Sequence, residues 1–219
     1  FVTNFAGMPN TLFKNIGDGF FENAADTSRI AQAHMKYLSF GCEFLDYDND
    51  GWQDLMTADG HVQLSVDTQQ SVGVKQAKRL YRNAGNATFS PIEAPEALGP
   101  LAEPVISRGL ATADINNDGF VDLVIGGYED WDRGITYPTF FLRNDAGRAF
   151  TNVVDVATSR TRGVTAADYD RDGDLDFAIM EINDFFASMV NQKSVATQVY
   201  PNLGNGNFGS PVNLTGMVY

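Results

Sequence analysis

Apolar residues in this chain come in strand-length stretches broken by Gly, Asn and Asp, and no segment sustains the 3.6-residue period of an amphipathic helix. Only residues 26–36 suit a turn or two of helix. Leu123-Val124-Ile125 and Phe177-Ala178-Ile179-Met180 are apolar without alternation, which predicts strands covered on both faces. Elsewhere an apolar stretch runs into an Asn/Gly turn and an aromatic residue opens the next one, the pattern of a tight hairpin in which Gly and Asn tolerate positive φ.

The pattern recurs. Three acidic segments align without gaps: Asp46-Tyr47-Asp48-Asn49-Asp50-Gly51-Trp52-Gln53-Asp54, Asp114-Ile115-Asn116-Asn117-Asp118-Gly119-Phe120-Val121-Asp122 and Asp168-Tyr169-Asp170-Arg171-Asp172-Gly173-Asp174-Leu175-Asp176. The hairpin motif occurs four times, at Leu12-Phe13-Lys14-Asn15-Ile16-Gly17, Leu80-Tyr81-Arg82-Asn83-Ala84-Gly85, a drifted copy around Phe141-Leu142-Arg143-Asn144, and Val199-Tyr200-Pro201-Asn202-Leu203-Gly204. Each unit reads strand, acidic loop, strand, connector, strand, Asn/Gly turn, strand: one antiparallel meander every ~55–65 residues. A four-stranded sheet with two apolar faces must cover both, and radial stacking does so while leaving only short edges. The expected fold is therefore all-β, a β-propeller of four-stranded antiparallel blades; a sandwich of unequal hairpins is the alternative.

The units fall at about 1–37, 38–104, 105–159 and 160–219, within one propeller region spanning 1–219. Phe1-Val2-Thr3-Asn4-Phe5 aligns with the strand that follows an acidic loop, so the first unit lacks an opening strand and loop. About three and three-quarter blades are present. The expectation is an arc of a larger ring, seven-bladed for example, whose remainder lies upstream or downstream, or a piece completed by another chain.

The acidic spacing places oxygen ligands at positions 1, 3, 5 and 9, a backbone carbonyl at 7, and a Gly at 6 that permits the sharp turn around an ion. This oxygen-rich arrangement suits Ca²⁺. The first site would use Asp46, Asp48, Asp50, the carbonyl of Trp52 and Asp54. The second would use Asp114, Asn116, Asp118, the carbonyl of Phe120 and Asp122; the third, Asp168, Asp170, Asp172, the carbonyl of Asp174 and Asp176. The EF-hand's Glu at position 12 is missing, since Thr57, Ile125 and Ile179 stand there. About three Ca²⁺ ions are expected, which would relieve the mutual repulsion of carboxylates crowded into nine residues. A solvated acidic turn is the bland alternative. The middle loop, with Asn116 in place of a carboxylate, should bind most weakly.

These loops and turns resemble the FG-GAP/VCBS-type repeats of calcium-binding β-propellers, and more closely the propeller part of ASPIC/UnbV-type proteins. Ala58-Asp59-Gly60-His61-Val62 looks like that family's N-G-H segment, with Asp59 replacing Asn. The resemblance covers nearly the whole chain, but unit three departs from it with a longer connector and a degraded turn. It implies a secreted, cell-surface or periplasmic protein, used in adhesion, assembly or recognition of other protein chains or of cell-surface and matrix glycans.

Charge and composition narrow the remaining chemistry. A net charge of −13 argues against a nucleic-acid groove, and no apolar run is long enough to span a membrane. The single Cys42 permits no intrachain disulfide and reads as a buried, inert thiol. Two histidines and no G-x-S-x-G elbow leave no evident hydrolytic set; His34 carries no signal. The reading is non-enzymatic, with a polysaccharide-active lyase or hydrolase and a multi-chain surface fibre as alternatives. Long connectors at residues 62–78 and 129–138 are candidate ligand loops. The residues of interest are His61, just before the first connector, and Trp131 and Tyr137 in the second. His61 is a candidate for organising a long loop or a solvated loop histidine, the aromatics for stacking on a sugar ring or equally for core packing. Lys75, Lys78, Arg79 and Arg82 read as a solvated basic connector. Asn86-Ala87-Thr88 and Asn213-Leu214-Thr215 match the glycosylation sequon by pattern alone.

Overall fold

The computed structural model describes residues 1–62, 73–130, 134–156, 160–181 and 197–214. Trp131 and Thr215 lie outside them. The fold is all-β, and the described residues form three four-stranded antiparallel sheets. After the hairpin β1 (Phe13–Gly17) and β2 (Phe20–Asn23) comes one short helix, α1 (Ile30–His34), inside the stretch marked for a turn or two of helix. The first sheet holds β3 (Ser39–Leu45), β4 (Asp54–Asp59), β5 (Arg79–Asn83) and β6 (Phe89–Pro91), paired in chain order.

A helical turn α2 (Pro95–Leu98), continued as 3-10 helix over Gly99–Ala102, then leads to the second sheet. This sheet holds β7 (Ser107–Ala113), β8 (Asp122–Gly127), β11 (Thr139–Asn144) and β12 (Phe150–Val156), again in chain order. Its connector carries a two-rung hairpin, β9 (Glu129–Asp130) with β10 (Ile135–Thr136). The third sheet is β13 (Thr161–Ala167), β14 (Asp176–Glu181), β15 (Thr197–Tyr200) and β16 (Val212–Leu214). The repeating meander is as the sequence predicts. The helical turn α2 is not, because its Pro-Glu-Ala-Leu falls between units where no repeat marks it.

The continuous apolar runs are shared between two cores. In β8, Leu123 and Ile125 face the first sheet and pack with Leu45, Met56 and Leu80, while Val124 faces the third sheet beside Phe177 and Ile179. Phe141 follows Val124; its neighbours Phe140 and Leu142 follow Leu123. Alternation along a pleated strand thus delivers successive side chains to opposite interfaces, so neither face can be polar. β4 and β8 are buried at every position, whereas β14 exposes Met180 on a face that no sheet covers among the described residues. A third core joins Leu12, Ala24 and Ile30 to Leu55, Tyr81 and Phe89.

The opening strands stand side by side, β3 next to β7 and β7 next to β13. Each carries Ser/Thr-x-Gly: Ser39-Phe40-Gly41, Ser107-Arg108-Gly109 and Thr161-Arg162-Gly163. A Cβ on Gly41 would lie 2.7 Å from the Arg108 carbonyl oxygen, and one on Gly109 2.9 Å from Val164 Cγ2. Glycine is required there because the neighbouring strand runs too close for any side chain. The register of each opening pair also shifts at this motif, at Ser39/Cys42, Ser107/Leu110 and Thr161/Gly163, which marks a bulge.

Val2 bridges Thr11 through two backbone hydrogen bonds of 2.8 and 3.0 Å, so the first residues run beside the β1–β2 hairpin. That hairpin is exposed at every position. Phe13 and Phe20 are 48% and 67% exposed, where their repeat equivalents Tyr81 and Phe89 are 0% and 3%.

Candidate metal loops and their latches

Each acidic loop joins the first two strands of a sheet: 46–54 links β3 to β4, 114–122 links β7 to β8, and 168–176 links β13 to β14. Position 4 adopts left-handed backbone in all three, at Asn49 (φ 55°), Asn117 (φ 58°) and Arg171 (φ 66°). Position 6 does the same at Gly51, Gly119 and Gly173. Asn accepts that conformation more readily than most L residues, and Gly accepts it at no cost.

The position 1 aspartates fold each loop on itself. Asp46 accepts the Asp50 and Gly51 amide hydrogens at 3.0 and 2.9 Å; Asp114 accepts those of Asp118 and Gly119 at 3.0 and 2.8 Å; Asp168 accepts that of Gly173 at 3.2 Å. At position 5, Asp50, Asp118 and Asp172 each accept the amide hydrogen two residues on, from Trp52, Phe120 and Asp174. The carboxylates therefore converge. Oxygens of Asp46, Asp48 and Asp50 lie within 4.8 Å of one another, as do those of Asp168, Asp170 and Asp176. In the middle loop Asn116 donates its amide to Asp118 Oδ2 at 2.9 Å, so one ligand position is partly consumed inside the loop. The donor set is all oxygen, and Asp48 Oδ1 is enclosed without a hydrogen-bond partner, which fits residues arranged to hold a hard cation.

Position 9 is built differently. Asp54, Asp122 and Asp176 are buried, and each latches its own loop to the hairpin turn. One oxygen accepts the position 2 amide hydrogen, from Tyr47 (3.2 Å), Ile115 (2.9 Å) or Tyr169 (2.8 Å). The other accepts the amide hydrogen of the hairpin Asn, from Asn83 (2.8 Å), Asn144 (2.7 Å) or Asn202 (2.7 Å). Burial pushes the Asp54 and Asp122 carboxyls up to about 6, against the opposing pull of these amides and with the neighbouring loop aspartates adding to the rise. A cation in the loop would favour their ionised form.

The hairpin Asn is a linking residue that the repeat marks only as a turn. Its Nδ2 donates to the position 8 carbonyl of its own unit, Gln53 for Asn83 (2.9 Å), Val121 for Asn144 (3.1 Å) and Leu175 for Asn202 (3.3 Å). Asn144 and Asn202 also donate to the position 2 carbonyls of the preceding loop, Tyr47 and Ile115, at 2.7 and 2.8 Å. Loop touches loop as well: Asn49 Nδ2 donates to the Gly119 carbonyl at 2.9 Å, and Asn117 Nδ2 to Asp174 Oδ1 at 2.7 Å. Three successive loops and turns are thereby tied at one end of the sheets.

The basic connector is not uniformly solvated. Lys78 is buried, its Nζ 4.8 Å from the Phe140 ring centre and donating to the Glu103 carbonyl at 3.3 Å, and burial pushes its pKa down to about 8. Arg82 reaches the first acidic loop, 3.0 Å from Asp48 and 2.9 Å from Asp50. Arg79 lies over the Tyr37 ring. Of the candidate ligand residues, His61 is buried, edge-on to Phe5, and lowered in pKa by burial and by Arg108. Tyr137 is partly buried against Val74, Ile106 and Tyr128. Cys42 is half-buried, and burial raises its pKa. Asn86 is exposed in its turn.

His34, silent in the sequence, is fully buried at the centre of a polar cluster. Its Nδ1 lies 2.5 Å from the Tyr81 hydroxyl, and its Nε2 faces both Ser39 Oγ and, at 3.4 Å, Asp59 Oδ1. Thr57 donates to Asp59 Oδ2 at 3.1 Å. Serine, histidine and aspartate meet, but a hydrolytic relay needs acid and nucleophile on opposite ring nitrogens and access to substrate. Here both address Nε2, inside the protein. The cluster is a buried structural network, and α1 is its anchor. No protein-family model matches the chain, and no curated protein matches it. No helix among the described residues is long and apolar enough to cross a membrane.

Proposed function

We propose that the three sheets are blades of a calcium-stabilised β-propeller of the FG-GAP/VCBS kind, a non-enzymatic scaffold for adhesion, assembly or ligand recognition outside the cell. The side-by-side opening strands and the shared cores between sheets support radial stacking. The observation that carries calcium is the convergence of Asp46, Asp48 and Asp50, and of Asp168, Asp170 and Asp176, in loops of one repeated geometry. Calcium would bind the folded form alone. Its occupancy at a hundredfold over Kd contributes ~2.7 kcal/mol per site, or roughly 5–10 °C in melting temperature for a domain of this size. Thermal melts in chelator and in millimolar Ca²⁺ test this. A chelator-induced fall reversed by Ca²⁺ and not by Mg²⁺ is expected, and identical melts would remove the role.

The exposed Phe13 and Phe20 support a companion reading. The β1–β2 hairpin is completed by further strands, from the rest of the same propeller or from another chain.

A further inference from the structure

At the end of the sheets away from the acidic loops, the Ser/Thr-x-Gly motif places Phe40, Arg108 and Arg162 at equivalent positions of three neighbouring strands. Arg108 is only 5% exposed. Its guanidinium carbon lies 3.8 Å from the Phe40 ring centre and 4.6 Å from that of Tyr128, so two aromatic rings pack against it. Nη1 donates to the carbonyls of Gly60 (3.1 Å) and Ser107 (2.9 Å). The hydrogens of Nε and Nη2 have no acceptor among the described residues, and no carboxylate there pairs with Arg108. Arg162, exposed, donates from Nη2 to the Tyr128 hydroxyl at 3.0 Å and lies 5.4 Å from the same ring.

A buried cation without a counterion is costly. Burial depresses the Arg108 pKa to about 10; Tyr128 opposes the fall, and the smaller influence of Arg162 adds to it. The acidic loops do not compensate. Arg108 and Asp114 are six residues apart along an extended strand, about 20 Å, beyond the ~8 Å screening length of physiological salt. What remains is a rigid, stacked guanidinium with one edge anchored and the other edge free, the fork that matches a carboxylate through two parallel N–H···O bonds. Its two N–H groups lie parallel in one plane, which the two oxygens of a planar carboxylate meet together.

We propose that the free Nε/Nη2 edge of Arg108, backed by Arg162, binds a carboxylate group of a ligand. The site does not depend on metal in the acidic loops. It gives the end of the sheets carrying the long connectors a recognition chemistry of its own.

The test is a titration of the folded protein, in calcium-free buffer, followed through the arginine Nε–H resonances by NMR. Sodium acetate and sodium glucuronate are the probes; glucose, inorganic phosphate and sodium chloride at matched ionic strength are the controls. A saturable shift at Arg108 with both carboxylates and not with the controls is expected. Equal affinity for the two carboxylates would assign recognition to the carboxylate alone, and tighter glucuronate binding would assign a sugar acid. Arg162→Gln, at an exposed position, should weaken binding about fivefold with the fold intact. Arg108→Lys keeps the charge and removes the fork, and should abolish saturation. Shifts matched by sodium chloride, phosphate binding as tightly as acetate, or an Arg162→Gln protein binding like the parent would each overturn the assignment.

Discussion

The side-chain amide of Asn144 donates to the main-chain oxygen of Tyr47, 97 residues earlier, at 2.7 Å. The same amide holds the Val121 carbonyl, and the backbone of Asn144 is held by Asp122. One residue thus ties its own acidic loop to that of the preceding sheet. Removing it strands two partly buried carbonyls; a buried one costs ~1–3 kcal/mol when left without a partner. Asn144→Ala and Asn202→Ala should each lose ~2–4 kcal/mol in urea denaturation. Asn83→Ala should lose less, because its Nδ2 reaches only the Gln53 carbonyl. Equal losses at all three positions would show that the inter-sheet tie carries no weight.

Close approach of the opening strands gives a second expectation. Gly109→Ala forces a Cβ to 2.9 Å from Val164 Cγ2 and 3.1 Å from the Val164 nitrogen, so β13 must move; ~1–3 kcal/mol of destabilisation is expected. Gly163→Ala meets only the flexible end of Met180 at 3.1 Å and should cost far less. Thermal denaturation of the two single variants compares them directly.

Lys78 sets a pH dependence. Its folded value of about 8 lies below the ordinary 10.5, so between those values the unfolded chain binds more protons and stability rises with pH. Below about 8 both states are protonated and the full cost of a buried ammonium is present. Lys78→Met removes that cost. The variant should therefore gain most over the parent at pH 6–7, and the gain should shrink as pH climbs through 8 toward 10.5. A gain that is flat with pH, measured by urea denaturation, would place the proton elsewhere.

The loops should differ in calcium affinity. Asn116 contributes no charge and spends its amide on Asp118, so the middle loop should be the weakest site. In the first loop Arg82 sits on Asp48 and Asp50 and competes with a cation there. Arg82→Ala should tighten that loop several-fold in calorimetric titration and leave the others unchanged. Tightest binding at the middle loop would refute the ranking.

Much of this was readable from residue order because the repeat is local. Strand, loop and turn lie within one unit, and Asp, Gly and Asn stand where special backbone demands them. What escaped is non-local or conditional on packing. Ser39, His34 and Tyr81 come from three elements and meet only when α1 docks on the first sheet. Lys78 looks like a surface cation in a basic run, yet the Phe140 ring and the Glu103 carbonyl enclose it. The Ser/Thr-x-Gly motif was visible as a third repeat beside the loops and turns. It is three residues long, however, and its meaning depends on the neighbouring strand. The sequence likewise marks positions 1 and 9 of each acidic loop with the same residue type, while only folding leaves Asp168 exposed and buries Asp176, which latches two amides and still faces the carboxylate cluster.

The tie from Asn144 and Asn202 is addressed to a peptide oxygen, which every amino acid supplies, so the residue being gripped is free to be Tyr47 in one place and Ile115 in another. A copied segment therefore arrives with its own key and finds a lock on whatever precedes it. Lengthening such an array by gene duplication needs no matched pair of changes at the new seam.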